Sequence, residues 1–518
     1  MAAGIVRPAS GSASASIVVD PRPLFDISPH LYMQFMEPLG TTDGSVEAAW
    51  DYDIDDWRPD LIRVAKDLSP DVIRWGGNFI TFYRWREGVG PVSGRRPMYN
   101  YAWGGKESNR VGTREFVDFC RRTGARPLIC VNLLSEGIAG FRKTVHNEDR
   151  AGDAAEAADW VSYSNDPDSR ERKQHGDPEP YNIGLWQLGN ETSYKSDGFS
   201  RDEYVRRLVE FARAMKRRDP SISLIGWGDA TKSDGEDFWA PHVLERAGEY
   251  LSHVAVHMMN LKPRRADTVL RGFEYQKAPE QAWEELLDLT RVAENKLLRI
   301  KEIVRAAAPR VGLAITEGHL SLRPHNVNPI LQEWLTGVFH ARILNLYQRH
   351  GDTVAIATAA DFCGTRWTVN AVMMPVPARR GRCYLLPVGS VMRLFKRHYG
   401  KAAMAVIQAP ASLDIAASGD ENRVFLHVAN MNYSDGVETD LSVRGRSIAG
   451  GRIREIAPGD PRAYVDAEQP DVFCPVEKKL PAGSVARWRF PRASVSVVEL
   501  DLAVSGKREN AIQRGEEG

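Results

Sequence analysis

Residues 184–193 read GLWQLGNETS: the apolar run Leu185-Trp186-Gln187-Leu188 stops on a glycine, and an amide and a carboxylate, Asn190 and Glu191, follow at once. A short apolar run that ends on Gly reads as a buried strand leaving a sheet. A second run, AITEGHL, ends in the same way on Glu317. Taken singly, each has a plainer reading. Gly-Asn-Glu makes a good turn because Gly and Asn tolerate positive φ, and Glu317 could be the acidic charge at a helix N-terminus. Taken together, two carboxylic acids at strand ends suit displacement at an anomeric carbon, where one protonates the departing oxygen and the other attacks, held about 5–5.5 Å apart. Such a pair also needs its pKa values pushed apart, and Asn190 offers a neutral amide for a sugar hydroxyl without adding charge.

The elements that must position these acids alternate. Strand-like runs occur at 31–37, 71–75, 126–133, 183–190, 222–228, 253–258, 311–316 and 352–360, and helical stretches such as DLIRVAKDL, TREFVDFCRR, DEYVRRLVEFARAMKRR and AENKLLRIKEIVRAAA lie between most of them. Eight such units predict an α/β fold, a (β/α)₈ TIM barrel, whose functional residues gather at the C-terminal ends of the strands. Polar residues at those ends are Glu37, Arg74 with Asn78, Asn132, Asn190 with Glu191, His257, Glu317 and Asp361. Only a barrel mouth would bring them into one pocket. Beyond about residue 400, RVFLHVANMN, AYVDAE, VARWRF and SVSVVELDL alternate with period two between turn residues, which predicts an appended antiparallel β-sandwich of jelly-roll-like form. The expected organisation is a disordered tail at 1–13, a strand at 14–28 added to the sandwich, a barrel over 29–397, the sandwich over 398–504 and a second tail at 505–518.

Composition narrows the function classes. Lys and Arg number 68 against 68 Asp and Glu, so nothing marks a nucleic-acid or anionic-membrane partner. Five scattered cysteines, without CxxC or metal-ligand spacing, read as reduced thiols of a cytoplasmic protein. The start lacks the pattern of a cleaved signal and no apolar run spans a bilayer. Trp75, Phe79, Phe82, Tyr83 and Trp85 fit either core packing or sugar-stacking platforms. The loop ARRGR (378–382) reads as solvated, GGKES (104–108) lacks phosphate-loop spacing, and His319, His325 and His340 show no metal pattern.

The motifs resemble glycoside hydrolase family 51, the α-L-arabinofuranosidases of the retaining (β/α)₈ clan, over about residues 15–400. SPHLYMQFMEPLG is similar to that family's first barrel strand, DVIRWGGNFITFYRWREGVGP to its second, EPYNIGLWQLGNE to its fourth, VHMM to its sixth and AITEGHL to its seventh. The resemblance implies Glu191 as general acid/base, Glu317 as nucleophile, and Glu37, Arg74, Asn78, Asn190 and His257 as substrate-binding groups. It also implies a homo-oligomer, a trimer or hexamer. Four positions depart from the family pattern. Met259 stands where a tyrosine would bond the nucleophile, Gly318-His319 replaces Trp-Asn, Trp75 runs straight into Gly76 without a proline, and Asp361 replaces a glutamine. A methionine cannot donate that hydrogen bond.

The sequence therefore predicts a retaining hydrolase with catalytic Glu191 and Glu317, and with Glu37, Arg74, Asn78, Trp103, Asn190, His257 and Asp361 binding an oligosaccharide. Arg74 is expected to hold Glu317 ionised, and no metal or organic cofactor is called for. The alternatives are a different glycone (a xyloside, a galactofuranoside or a modified sugar) and a carbohydrate-binding protein without turnover.

Overall fold

A computed structural model describes residues 15–259, 263 and 265–503 of the 518-residue chain. The segments 1–13 and 505–518, expected as tails, lie outside the described residues. Eight parallel strands form one sheet: β1 (Gln34–Met36), β2 (Val72–Trp75), β3 (Arg126–Val131), β4 (Leu185–Leu188), β5 (Ser223–Trp227), β6 (His253–Met258), β7 (Gly312–Gly318) and β8 (Val354–Ala357). The sheet closes on itself, because the Met33 amide donates to the Ala357 carbonyl at 2.9 Å and the Ala357 amide to the His30 carbonyl at 3.1 Å. The α/β barrel predicted from the alternating pattern is present.

The helices around it follow from their own sequences. Arg201–Arg218 starts where the Ser200 hydroxyl accepts from the Glu203 amide, buries Tyr204, Val205, Leu208, Phe211, Ala212 and Met215 on one stripe, and ends on Lys216-Arg217-Arg218, cations that suit a helix C-terminus. Burying those side chains against β4 and β5 fixes where each strand's last residue emerges.

The remaining strands form a nine-stranded sheet. Ala15–Asp26 pairs antiparallel with Ala402–Gln408 and parallel with Val437–Val443, so the sheet is not wholly antiparallel. Its two ends meet, since Trp488 Nε1 donates to Glu455 at 3.4 Å and Lys478 lies 5.3 Å from the Trp488 ring. The rolled sheet encloses a separate core that includes Ile17, Val19, Leu426, Leu441, Ile453 and Val498. Trp283 and Trp334 donate to the carbonyls of Met431 and Ala493 and join this body to the barrel.

Two sequence expectations need correcting. AYVDAE (463–468) is no strand. Its amide and carbonyl groups are taken by the barrel loop, Val465 bonding Gln332 and Ala463 accepting from Trp334, which leaves Tyr464 a single bridge to Glu333. The eighth barrel strand ends at Ala357, and Asp361 opens a separate short strand, Asp361–Gly364, paired in parallel with Asn370–Met373. Asp361 reaches the barrel mouth from that strand and not from the barrel itself.

Candidate active site

Arg74, the third residue of β2, is fully buried, and its fork uses three acceptors: Gln187 Oε1 at 2.9 Å, Glu317 Oε1 at 2.8 Å and Asn190 Oδ1 at 2.6 Å. One guanidinium therefore ties together the ends of β2, β4 and β7. It also lies 4.8 Å over the Phe35 ring. Glu191 follows β4 in the left-handed region at φ 54°. Its Oε2 accepts from Asn78 Nδ2 at 3.1 Å and lies 3.6 Å from Lys195 Nζ, and its Oε1 is 3.2 Å from His257 Nδ1. The same Nδ1 stands 3.5 Å from Glu317 Oε2. The ligand atoms of Glu191, His257 and Glu317 lie within 4.8 Å of one another, so both carboxylates address one small volume. This is also the group of described residues best shaped for a metal, but the Arg74 and Lys195 cations on its two carboxylates already supply the balancing charge.

Glu37, just past β1, accepts from the Phe79 amide and from Trp103 Nε1, both at 2.8 Å on Oε1. The approach requires Gly77 (φ 86°), since a Cβ there would sit 2.2 Å from the Glu37 carboxyl group. Asp361 bonds His319 Nδ1 at 3.1 Å, and His319 Nε2 meets Ser321 Oγ at 3.0 Å. Six of the predicted site residues, Arg74, Asn78, Asn190, Glu191, His257 and Glu317, are joined by these contacts, and Glu37 with Trp103 forms a separate bonded pair. Asp361 joins through the field, its charge acting on both Glu37 and Glu317. Asn132, noted at a strand end, is spent locally: its amide donates to the carbonyls of Tyr83 and Arg150 and its oxygen caps Ser135. The aromatic group is core, with Trp75, Phe79, Phe82, Tyr83 and Trp85 buried and packed on one another or on Trp160.

Electrostatics divide the acids. Burial alone would raise Glu191, yet the His257 hydrogen bond and the Lys195 charge bring it down to about 2. Burial raises Glu317 above the usual carboxylate range, and the opposing charges of His257 and Arg74 do not reverse this. The expected Arg74 contact is thus present, and its charge works against the burial that raises Glu317. Glu37 is raised well above its ordinary value by burial and by the charge of Glu317. Burial would lower His319, and the Asp361 carboxylate raises it instead.

Several supporting residues escaped the sequence reading. Glu136, four residues past Asn132, turns back to accept from the Asn190 amide at 2.8 Å and from the Thr192 hydroxyl. Asp229, two residues after β5, accepts from Tyr194 Oη at 2.6 Å, Lys296 Nζ at 2.9 Å and the His257 amide at 3.0 Å. Its place after a strand was a usable signal. Lys296 was not findable, because a lysine on a long helix reads as solvated. Met259 lines a separate cavity of about 150 Å³ with Lys296, Phe238 and Val292.

Residues 64–265 match the family model described as Alpha-L-arabinofuranosidase 1 domain. The intracellular exo-alpha-(1->5)-L-arabinofuranosidase of Acetivibrio thermocellus is 35% identical over 244 residues, 45% of this chain and 45% of that protein. The corresponding Bacillus subtilis enzyme is 33% identical over 244 residues, again 45% of each. The matched region thus spans a little under half of these relatives. In fold, the chain is similar to the α-L-arabinofuranosidase of Thermotoga maritima solved with arabinose (TM-score 0.76, 24% identity, 94% of this chain and 100% of that one). It is also similar to the family 51 α-L-arabinofuranosidase of Bifidobacterium longum (TM-score 0.78, 19% identity, 94% and 99%). Residues 64–265 thus carry a domain of the alpha-L-arabinofuranosidase type, on a fold similar to that of solved α-L-arabinofuranosidases, family 51 among them.

Proposed function

We propose that this protein is a retaining glycoside hydrolase that releases an α-L-arabinofuranosyl residue from an oligosaccharide by double displacement. The observation that carries the reading is the approach of the Glu191 and Glu317 oxygens to within 4.8 Å, close to the about 5–5.5 Å of a retaining pair and short of the about 6.5–9.5 Å that leaves room for an inverting water. Asn190 adds a second support: its Nδ2 is buried without a hydrogen-bond partner among the described residues, an unspent donor for a sugar hydroxyl.

Glu317 attacks the anomeric carbon and Glu191 protonates the leaving oxygen, then deprotonates the water that frees the sugar. Burial raises Glu317, while the His257 hydrogen bond and Lys195 lower Glu191, so the proton affinities of the two acids are pushed apart. Glu317 attacks as the carboxylate, and His257 Nδ1, 3.2 Å from Glu191 and 3.5 Å from Glu317, stands between the two acids and orients both. Arg74 then faces an anion, the state its 2.8 Å contact favours most. Glu37, Asn78, Trp103, Asn190, His257 and Asp361 bind the ring. The direction of the shifts, Glu317 raised and Glu191 lowered, favours a second reading in which the two glutamates exchange roles. Azide rescue separates the readings: azide replacing the lost acid/base gives a glycosyl azide of retained configuration, and azide replacing the lost nucleophile gives the inverted one.

Release of nitrophenol from nitrophenyl α-L-arabinofuranoside, beside xylosides and galactofuranosides, tests the glycone. Cleavage of another sugar in its place removes the arabinofuranosyl assignment. The chain divides at about residues 28 and 397 into barrel and sandwich in this proposal, supported by the two separate apolar cores. A cytoplasmic location is proposed from the names of the intracellular relatives, and a trimer or hexamer from the family resemblance. Light scattering measures the latter. Among the described residues no helix is long and apolar enough to cross a membrane.

A further inference from the structure

The chain leaving β7 carries its odd-numbered residues from the catalytic pocket outward: Glu317, His319, Ser321, Arg323 and His325. His319 bonds Asp361 on one side and Ser321 on the other. Ser321, Arg323 and His325 then line a cavity of about 400 Å³ together with Thr268 and Arg271, a volume within the about 300–1,000 Å³ usual for small-ligand sites. Arg271 and Arg323 are backbone partners in a parallel bridge, and the Gly272 amide bonds the Arg323 carbonyl at 2.8 Å, so the two residues are held side by side. Neither guanidinium has an ion pair or hydrogen bond among the described residues. The nearby acids are spent elsewhere: Asp267 on Arg265 at 2.8 Å, Glu274 on Lys277 at 2.9 Å, and Asp361 on His319.

A second set of contacts links the cavity wall to the catalytic pocket. The His325 ring meets Trp367 at 5.9 Å, Trp367 meets Trp103 at 5.2 Å, and Trp103 bonds Glu37. Two forks without partners among the described residues and two hydroxyls beside an oligosaccharide site, with the nearby described carboxylates paired elsewhere, suit a planar anion bound bidentately. We propose that this cavity is a subsite for a uronic acid residue, a sugar bearing a carboxylate, in the part of the oligosaccharide that remains after the glycone is cut. The inference rests on the saccharide-cleaving reading above and names the substrate class that it would favour.

Calorimetry on the full chain, with galacturonate against galactose as probes, reads the subsite directly, and Arg271→Gln/Arg323→Gln is the control. Galacturonate should bind more tightly than galactose by about tenfold or more, the scale of one charge-assisted contact. The double variant should lose that difference while keeping its rate on nitrophenyl α-L-arabinofuranoside, which has no carboxylate. Equal binding of the two sugars, a preference that survives the double substitution, or binding of inorganic phosphate but not galacturonate would overturn the proposal. If galacturonate binds through the two arginines while the nitrophenyl glycoside is untouched, the uronate subsite stands and the reading of the hydrolase fails.

Discussion

Glu136 makes no contact with either catalytic candidate, yet the account makes the geometry of Glu191 depend on it. Its two oxygens hold the Asn190 amide and the Thr192 hydroxyl on either side of Glu191, which sits at φ 54°, a conformation an L-residue adopts only when its surroundings impose it. Glu136→Ala strips both buried donors of their acceptor, at about 1–3 kcal/mol each, so a loss of about 2–6 kcal/mol in stability is expected. Activity should fall with it as the turn relaxes. Glu136→Gln keeps an oxygen for the amide and an NH₂ for the hydroxyl, and should retain both fold and turnover. It differs from the wild type in charge. Burial raises Glu136 from 4.5 to about 7, which corresponds to about 3 kcal/mol. A raised folded pKa means that the stabilising contribution is complete below about pH 4.5 and is lost as pH rises through about 7. Urea unfolding at pH 4.5 and pH 8 should therefore give a glutamine variant that gains about 3 kcal/mol on the wild type between the two pH values. A parallel pH dependence in the two proteins, or an alanine variant as stable and active as the wild type, would refute the reasoning.

Gly77→Ala should cut kcat/KM sharply, because its Cβ would fall 2.2 Å from the Glu37 carboxyl group and push it off Trp103; an unchanged rate would count against Glu37 as a ring-binding group. Arg74→Lys removes the fork that serves Gln187, Asn190 and Glu317, and a loss of about 3 kcal/mol, roughly a hundredfold in kcat/KM, is expected from steady-state kinetics. The acidic limb of the kcat/KM profile reports loss of a proton from the raised Glu317, so activity should rise with pH through a midpoint above the ordinary glutamate range. His257→Gln, which removes the ring nitrogen bonded to Glu191, should lower turnover more for alkyl than for nitrophenyl glycosides, and equal losses would separate His257 from the acid/base step.

The barrel was legible because its eight apolar runs keep a fixed grammar with the helices between them, and their polar ends carried the site with them. Glu37, Arg74, Glu191, His257 and Glu317 each stand at or just past a strand's last residues, where period and position are both visible in sequence. What stayed hidden depended on folding back. Glu136 reaches Asn190 across a turn in which Leu134, Ser135 and Glu136 all have positive φ, a conformation no local pattern announced. Lys296 points inward from a 29-residue helix to Asp229 and the His257 carbonyl, against the solvated position its residue type suggests. Asp361 was placed in the right pocket on the wrong strand, since the apolar run 352–360 continues past the point at which the barrel ladder stops. AYVDAE shows the converse error, because alternation alone does not say whether a sheet edge or a barrel loop will take the backbone.

The most direct measurement is hydrolysis of nitrophenyl α-L-arabinofuranoside by the wild type, Glu317→Ala and Glu191→Ala, with and without azide, and with the anomer of each product read by NMR. The account predicts cleavage by the wild type with retention and near-complete loss in both variants. Azide should then give the inverted glycosyl azide from Glu317→Ala and the retained one from Glu191→Ala. The opposite pairing of anomers would exchange the two roles, and an intact, folded wild type that binds sugars but cleaves no glycoside in the panel would contradict the enzyme reading itself.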